Sequence, residues 1–194
     1  HRRQRQMCIR DRDDDVSIPE IIISEISDPD GTGGGDSRFI ELYNSTDTTI
    51  DLAAGNWFVV KYVQTGTISA VGLTGSIPAG GTYVVAMKES NFTASYGQSP
   101  DQVSGDISGN GDDAYALYFA GNNTTGTLVD LYGDIGTDGS GGIDGSSTEW
   151  EYEDGRAVRN PGITSPNDSF NATEWTIYND SASTNGTANV ADMT

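Results

Sequence analysis

The stretch with the clearest chemical potential in this chain is Asp28-x-Asp30-Gly31-x-x-x-x-Asp36. Alternating carboxylates around a glycine bend can offer oxygen ligands to a hard cation such as Ca2+. The closing position of an EF-hand loop, where a bidentate Glu belongs, is taken by Phe39, so this is not an EF-hand. Asp112-Asp113 and the trio Asp134, Asp138 and Asp144 are looser candidates of the same kind. The plainer reading is that such Asp-Gly loops are solvated turns, since the same residues favour turns. Calcium at Asp28, Asp30 and Asp36 therefore stands as the one cofactor expectation.

Other chemistry is excluded by residue type. Past residue 15 the chain has neither His nor Cys. That removes a Ser-His-Asp triad, a Cys-His dyad, and any imidazole or thiolate metal site. Paired acids could still hydrolyse glycosides. So many Asp and Glu can be paired on paper that the signal is unspecific. The module reads as non-enzymatic, although the full-length protein could carry an enzyme domain elsewhere. Glu25 and Glu41 fall on neighbouring strand candidates among apolar residues. They read as structural polar anchors, bonded to backbone amides, a hydroxyl, or Arg38, Arg156 or Arg159. Trp57, Trp150 and Trp175 read as core, given the area a Trp buries. Trp150, beside an acidic Gly-rich loop, is the ligand candidate for sugar stacking.

Charge narrows the partners. The chain has 194 residues and a formal net charge of −19. Residues 1–15, HRRQRQMCIRDRDDD, hold half of the ten basic residues and the only His and Cys. This segment matches the translation of a sequencing-library adapter and is set aside as an artefact or a disordered tail. On that reading the true N-terminus is missing. Residues 16–194 keep 5 basic against 25 acidic residues. Such a surface repels phosphate backbones, so nucleic acid is disfavoured as a partner. It suits a solvated extracellular protein. No segment approaches the roughly 20 apolar residues of a membrane helix, so no membrane insertion is expected. With no Cys after residue 15, stability must come from the core rather than from disulfides.

Short strands and polar turns must position these groups. Strand candidates are Glu20–Ile26, Arg38–Tyr43, Thr49–Leu52, Trp57–Val63, Thr82–Met87, Ala114–Phe119, Thr127–Tyr132 and Glu174–Tyr178, with a weaker one over Ile68–Ile77. Within Arg38–Tyr43, Ile40 and Leu42 share one face, while Phe39, Glu41 and Tyr43 share the other. Thr148–Glu153 alternates Trp150 and Tyr152 against three Glu. Ser90–Tyr96 reads as a single helical turn capped by Ser90. Asp101–Asp113 reads as a polar loop, and Gly133–Ser147 as a long functional or flexible loop. Ser181–Thr194 reads as a linker or frayed tail. Roughly eight to ten short strands between turns predict an all-β sandwich over residues 16–180.

The order of motifs resembles the lamin tail domain in its bacterial secreted form. The matching residues are Ile23-Ser24-Glu25-Ile26, Phe39-Ile40-Glu41-Leu42-Tyr43-Asn44, Ile50-Asp51-Leu52 and Trp57. Then come Ile77-Pro78-Ala79-Gly80-Gly81, Gly111-Asp112-Asp113 before Tyr115-Ala116-Leu117, and Leu128-Val129-Asp130. Tyr152-Glu153-Asp154-Gly155-Arg156-Ala157-Val158-Arg159 follows. The resemblance implies an immunoglobulin-like β-sandwich and a non-catalytic module, often attached to extracellular hydrolases, nucleases or surface proteins. The expected role is adhesion or protein interaction at an extracellular or cell-surface location, within a larger protein. A carbohydrate-binding accessory module, whose partner is an extracellular polysaccharide, and a structural spacer are the alternatives.

Overall fold

The computed structural model describes residues 18–29, 34–137, 139 and 141–178. The segments 1–15 and 181–194, set aside above as artefact and tail, lie outside the described residues. Strands β1 (Ile21–Ser27), β2 (Phe39–Asn44), β7 (Thr82–Ala86), β8 (Gln102–Val103), β11 (Arg156–Arg159) and β12 (Trp175–Tyr178) form a six-stranded sheet in the order β12-β11-β1-β2-β7-β8. Strands β4 (Phe58–Tyr62), β5 (Ile68–Gly72), β9 (Ala114–Phe119) and β10 (Thr127–Tyr132) form a four-stranded sheet in the order β10-β9-β4-β5. A ribbon of β3 (Ile50–Asp51) and β6 (Ser76–Ile77) closes one end. Pairing is antiparallel except between β7 and β8. This is an immunoglobulin-like β-sandwich.

Alternation builds the core as strand geometry requires. Ile40 and Leu42 of β2, Tyr83 and Val85 of β7, Val59 of β4, and Tyr115 and Leu117 of β9 join one buried cluster with Trp57. The outward faces are also lined. Val60, Tyr62, Ala116 and Tyr118 cluster outside the four-stranded sheet. Phe39 and Val84 lie outside the other sheet, beneath α1 (Glu89–Tyr96). That helix is longer than one turn, and the residue before it is Lys88, with no side-chain cap. Phe92 and Tyr96 set it against Phe39 with ring centroids 5.5 and 5.3 Å away. Tertiary packing holds it more than Ser90 does.

Two β-bulges set the register between the sheets. On β1 the pairing with β2 slips between Ile23 and Glu25, leaving Ser24 as the extra residue. Strict alternation from Ile21 and Ile23 would drive Glu25 inward; the bulge moves Ile26 inward instead. The Ile21-Ile22-Ile23 run is buried throughout, because Ile22 on the outer face is 2 % exposed. On β10 the slip falls between Leu128 and Asp130. It brings Asp130, fully buried, to the core side. There Asp130 Oδ2 accepts from the Ile23 N–H at 2.7 Å and from Arg159 Nη2. Its Oδ1 accepts from the Asn167 N–H at 2.9 Å. Arg159 also donates to Ile23 O at 3.2 Å and to Glu174 Oε2 at 2.6 Å, and its guanidinium lies 4.2 Å from the Trp175 ring centroid.

Two expectations change. Thr148–Glu153 is not a strand but a run of turns in which Trp150, Glu151 and Tyr152 are all buried. Its backbone is held from elsewhere: Tyr132 Oη donates to Trp150 O at 2.6 Å, and Tyr152 N–H donates to Gly111 O at 2.9 Å. The strand comes later, as β11. The polar loop Asp101–Asp113 also contributes β8, short enough to be hidden among turn residues.

Removing one partner of a buried, hydrogen-bonded ion pair strands the other charge in the core. Asp130→Ala is expected to cost about 3–5 kcal/mol in urea unfolding. The double variant Asp130→Ala/Arg159→Met should be more stable than Asp130→Ala alone. A double variant of equal or lower stability would show that the pair is not the source of the loss.

Candidate functional site

Much of the polar chemistry in the sequence turns out to be joinery, and the open feature lies beside it. Asn44, which ends β2, is fully buried. Its Nδ2 donates to Thr48 O, Ile77 O and Pro78 O at 2.8, 3.1 and 3.0 Å. Its Oδ1 accepts from Thr46 N–H and Oγ1. A single amide thus fastens the turn after β2 to the Ile77–Gly81 turn. Gly111, with φ of +88°, passes so close to the 152–153 backbone that an added Cβ would lie 2.2 Å from Glu153 Cα. Only glycine fits there.

Asp112 and Asp113 flank that approach. Asp112 Oδ2 accepts from Gln64 Nε2 at 3.0 Å, and its backbone O accepts from the Gly145 N–H at 3.1 Å. Burial, and then the neighbouring Asp144, push the Asp112 carboxyl up. Asp113 is 2 % exposed and faces Lys61, whose Nζ donates to Ser108 O at 2.8 Å. Burial pushes its carboxyl up to about 6 against the pull of Lys61. Burial conversely lowers the Lys61 amine. Asp144 is exposed, and Asp134 caps its own loop by accepting from the Gly136 N–H at 2.7 Å. Asp138 lies outside the described residues.

Two of the three residues read as calcium ligands are paired with cations of the chain itself. Asp28 is buried and ion-paired with Arg38. Asp36 pairs with Lys88 at 2.7 Å on the surface. Asp30 lies outside the described residues. Among the described residues no group of three or more Asp, Glu, His or Cys converges as a metal site would need. Calcium there would have to displace two internal cations.

Glu25 and Glu41 stand opposite each other across β1 and β2, on the outer face of the six-stranded sheet. Glu41 Oε1 accepts from Ser24 Oγ at 2.7 Å, and Glu25 lies 3.5 Å from Arg156 Nη1. Arg156 also sits 4.9 Å from the Tyr178 ring centroid. Burial raises the Glu25 carboxyl to about 7, with Arg156 opposing and Glu41 adding to the rise. Two carboxylates so placed share the sheet's outer face with Tyr96, which lies within electrostatic reach of Glu25.

Trp150 is 5 % exposed, its ring edge-on to Tyr132 at 6.4 Å. It lines a groove of ≈ 490 Å³ beside β10. Leu128, Leu131, Ile135 and Phe170 form the apolar lining with it, and the exposed carboxylates of Asp134, Glu149 and Asp168 rim it. Sequence reasoning singled out Trp150 but not this groove. Its walls come from β10, the 133–136 turn, the 149–150 turn and the 168–170 segment, which no motif spacing brings together.

Two measurements test this picture. Melting temperature is expected to be the same in millimolar CaCl2 and in EDTA; a rise of several degrees with calcium would put an ion among these loops. Glu25, Asp28 and Asp113 have folded pKa values raised to about 7, 6 and 6, chiefly by burial. Between their unfolded values near 4 and these folded values, the folded protein holds protons that the unfolded chain has released. Stability therefore falls as pH rises through that window. Melting temperature should be higher at pH 5.5 than at pH 8, and Glu25→Gln should raise it at pH 8 with little effect at pH 5.

The comparisons fit the geometry. No curated protein matches the chain. The family model of the lamin tail domain matches residues 16–136, more than half of it. That span holds Asp130 and both bulges, while Arg159 and Glu174, which complete the buried ion pair, come from the 42 residues between Gly136 and Asn179. By this match and this sandwich, the chain belongs to the lamin tail domain family.

Proposed function

We propose that this chain is a non-catalytic interaction module of a secreted or cell-surface protein, serving adhesion or protein contact. The observation that carries the reading is the acid-rimmed groove beside β10, where apolar side chains lie open among exposed carboxylates and no Lys or Arg lines the site. The strongly perturbed carboxylates are otherwise engaged. Asp28 holds Arg38, Asp130 holds Arg159, and Asp113 faces Lys61. Perturbed groups often mark active sites, but structural ion pairs perturb them equally well. The acidic composition suits a solvated extracellular setting and membership of a larger protein. Four of the five basic residues of 16–194 have partners inside the fold, and the exposed Lys88 is paired with Asp36, so little cationic surface is offered to nucleic acid. Among the described residues no helix is long and apolar enough to cross a membrane.

A polysaccharide-binding role would need an open ring face for the sugar, and Trp150 is only 5 % exposed. A pure spacer would have no use for a groove. Offered chromogenic glycosides, esters and phosphodiesters, the purified chain should give no turnover above buffer. Turnover abolished by Asp113→Asn or Glu25→Gln would overturn the reading. Retention on a glycan array would transfer the role to carbohydrate recognition.

A further inference from the structure

We infer that the groove beside β10 takes a cationic peptide segment carrying apolar anchors. This rests on the interaction-module reading and names the chemistry of the partner. The lining supplies the first argument. Leu128, Ile135 and Phe170 are half-buried, and Leu131 and Trp150 are almost wholly so. These five side chains give the groove an apolar strip among polar surroundings, and the core holds it: the Trp150 ring stands against Tyr132, and Tyr132 in turn meets Phe170 at 5.3 Å. A strip locked in this way is preformed, which lowers the ordering cost of binding.

The rim supplies the second. Asp134, Glu149 and Asp168 are exposed around it, and no Lys or Arg lines it. A second hollow of ≈ 380 Å³ continues the groove, sharing Leu128 and Asp168 and adding Ile18 and Glu20. Together they give a trough of two adjoining hollows that share Leu128 and carry four carboxylates. An anionic or purely polar ligand would meet repulsion or leave the apolar strip wet. A purely cationic one would leave that strip unused. A chain alternating basic and apolar side chains satisfies both parts at once.

Position supplies the third. β10 is the terminal strand of the four-stranded sheet, and its outer edge is already engaged where the Leu131 N–H donates to Asn167 O at 2.9 Å, so the groove offers a partner side-chain contacts rather than strand pairing. The run of two adjoining hollows gives a chain segment more than one anchoring place. The net negative charge of the whole chain steers a basic partner toward it, so association should be fast and salt-sensitive.

The test uses the full chain and three short fluorescent peptides: alternating Lys and Leu, alternating Lys and Ser, and alternating Glu and Leu. The Lys–Leu peptide should bind at least roughly tenfold more tightly than the Lys–Ser peptide, and the Glu–Leu peptide should not bind. Glu149→Lys/Asp168→Lys should weaken Lys–Leu binding about tenfold, and Leu128→Ala should weaken it with melting behaviour preserved. Asp47→Lys/Glu89→Lys makes the same change of charge at exposed sites outside the groove, and it should weaken binding much less. Equal binding of the Lys–Leu and Lys–Ser peptides, or equal loss in the two double-Lys variants, would reduce the attraction to net charge and overturn the proposal. Those results would leave the non-catalytic reading standing, since only substrate turnover removes it.

Discussion

The ion pair of Asp130 and Arg159 is the constraint on which the rest of the sandwich depends. Hydrophobic packing between two sheets is non-directional and would tolerate small slips. A carboxylate that must meet a guanidinium and the Ile23 and Asn167 amides at once tolerates none. It links an edge strand of one sheet to β1 and β11 of the other. Both strands adjust to reach it, through the bulges at Ser24 and Val129. Such a pair is weak evidence of net stability, because two desolvated charges offset much of their own attraction. Its contribution here is position: it sets which residues of β1 and β10 face inward.

The same logic explains why the family motifs occur in pairs along the chain. Leu128-Val129-Asp130 answers Arg156–Arg159 through that ion pair. The Asn44 amide at the end of β2 answers the Ile77–Gly81 turn. Gly111-Asp112-Asp113 answers Tyr152 and Glu153 through a close backbone approach that forbids a side chain. Each motif carries one polar group whose partner lies tens of residues away. Together they hold the loops at the ends of a sandwich that has no disulfide to close them.

Charge is distributed by this joinery. Arg38, Lys61, Arg156 and Arg159 are turned to internal partners, and Lys88 is paired on the surface. The acid surplus is left outside, where it keeps the protein solvated and gives its groove a single sign. The long Gly133–Ser147 loop shares in this. It is tied to the body through Gly142 to Val63 O and Gly145 to Asp112 O, while its Asp134 stays exposed at the groove rim.

Residue type and alternation by themselves determined the class of this protein. Ile40 and Leu42 opposite Phe39 and Tyr43, and Trp57 and Val59 opposite Phe58 and Val60, could be laid on two faces because strand periodicity is local. The lack of His and Cys past residue 15 likewise limited the chemistry without any structure. Local patterns cannot show where a strand slips. The bulges at Ser24 and Val129 depend on what Asp130 meets across the sandwich. The alternation at Thr148–Glu153 looked like a strand because nothing nearby reveals that its partners are Tyr132 and Gly111. The groove was hidden for the same reason: its lining comes from Leu128, Ile135, Trp150 and Phe170, spread over 43 residues. Their juxtaposition follows from the packing of distant segments, and only the tertiary structure decides that.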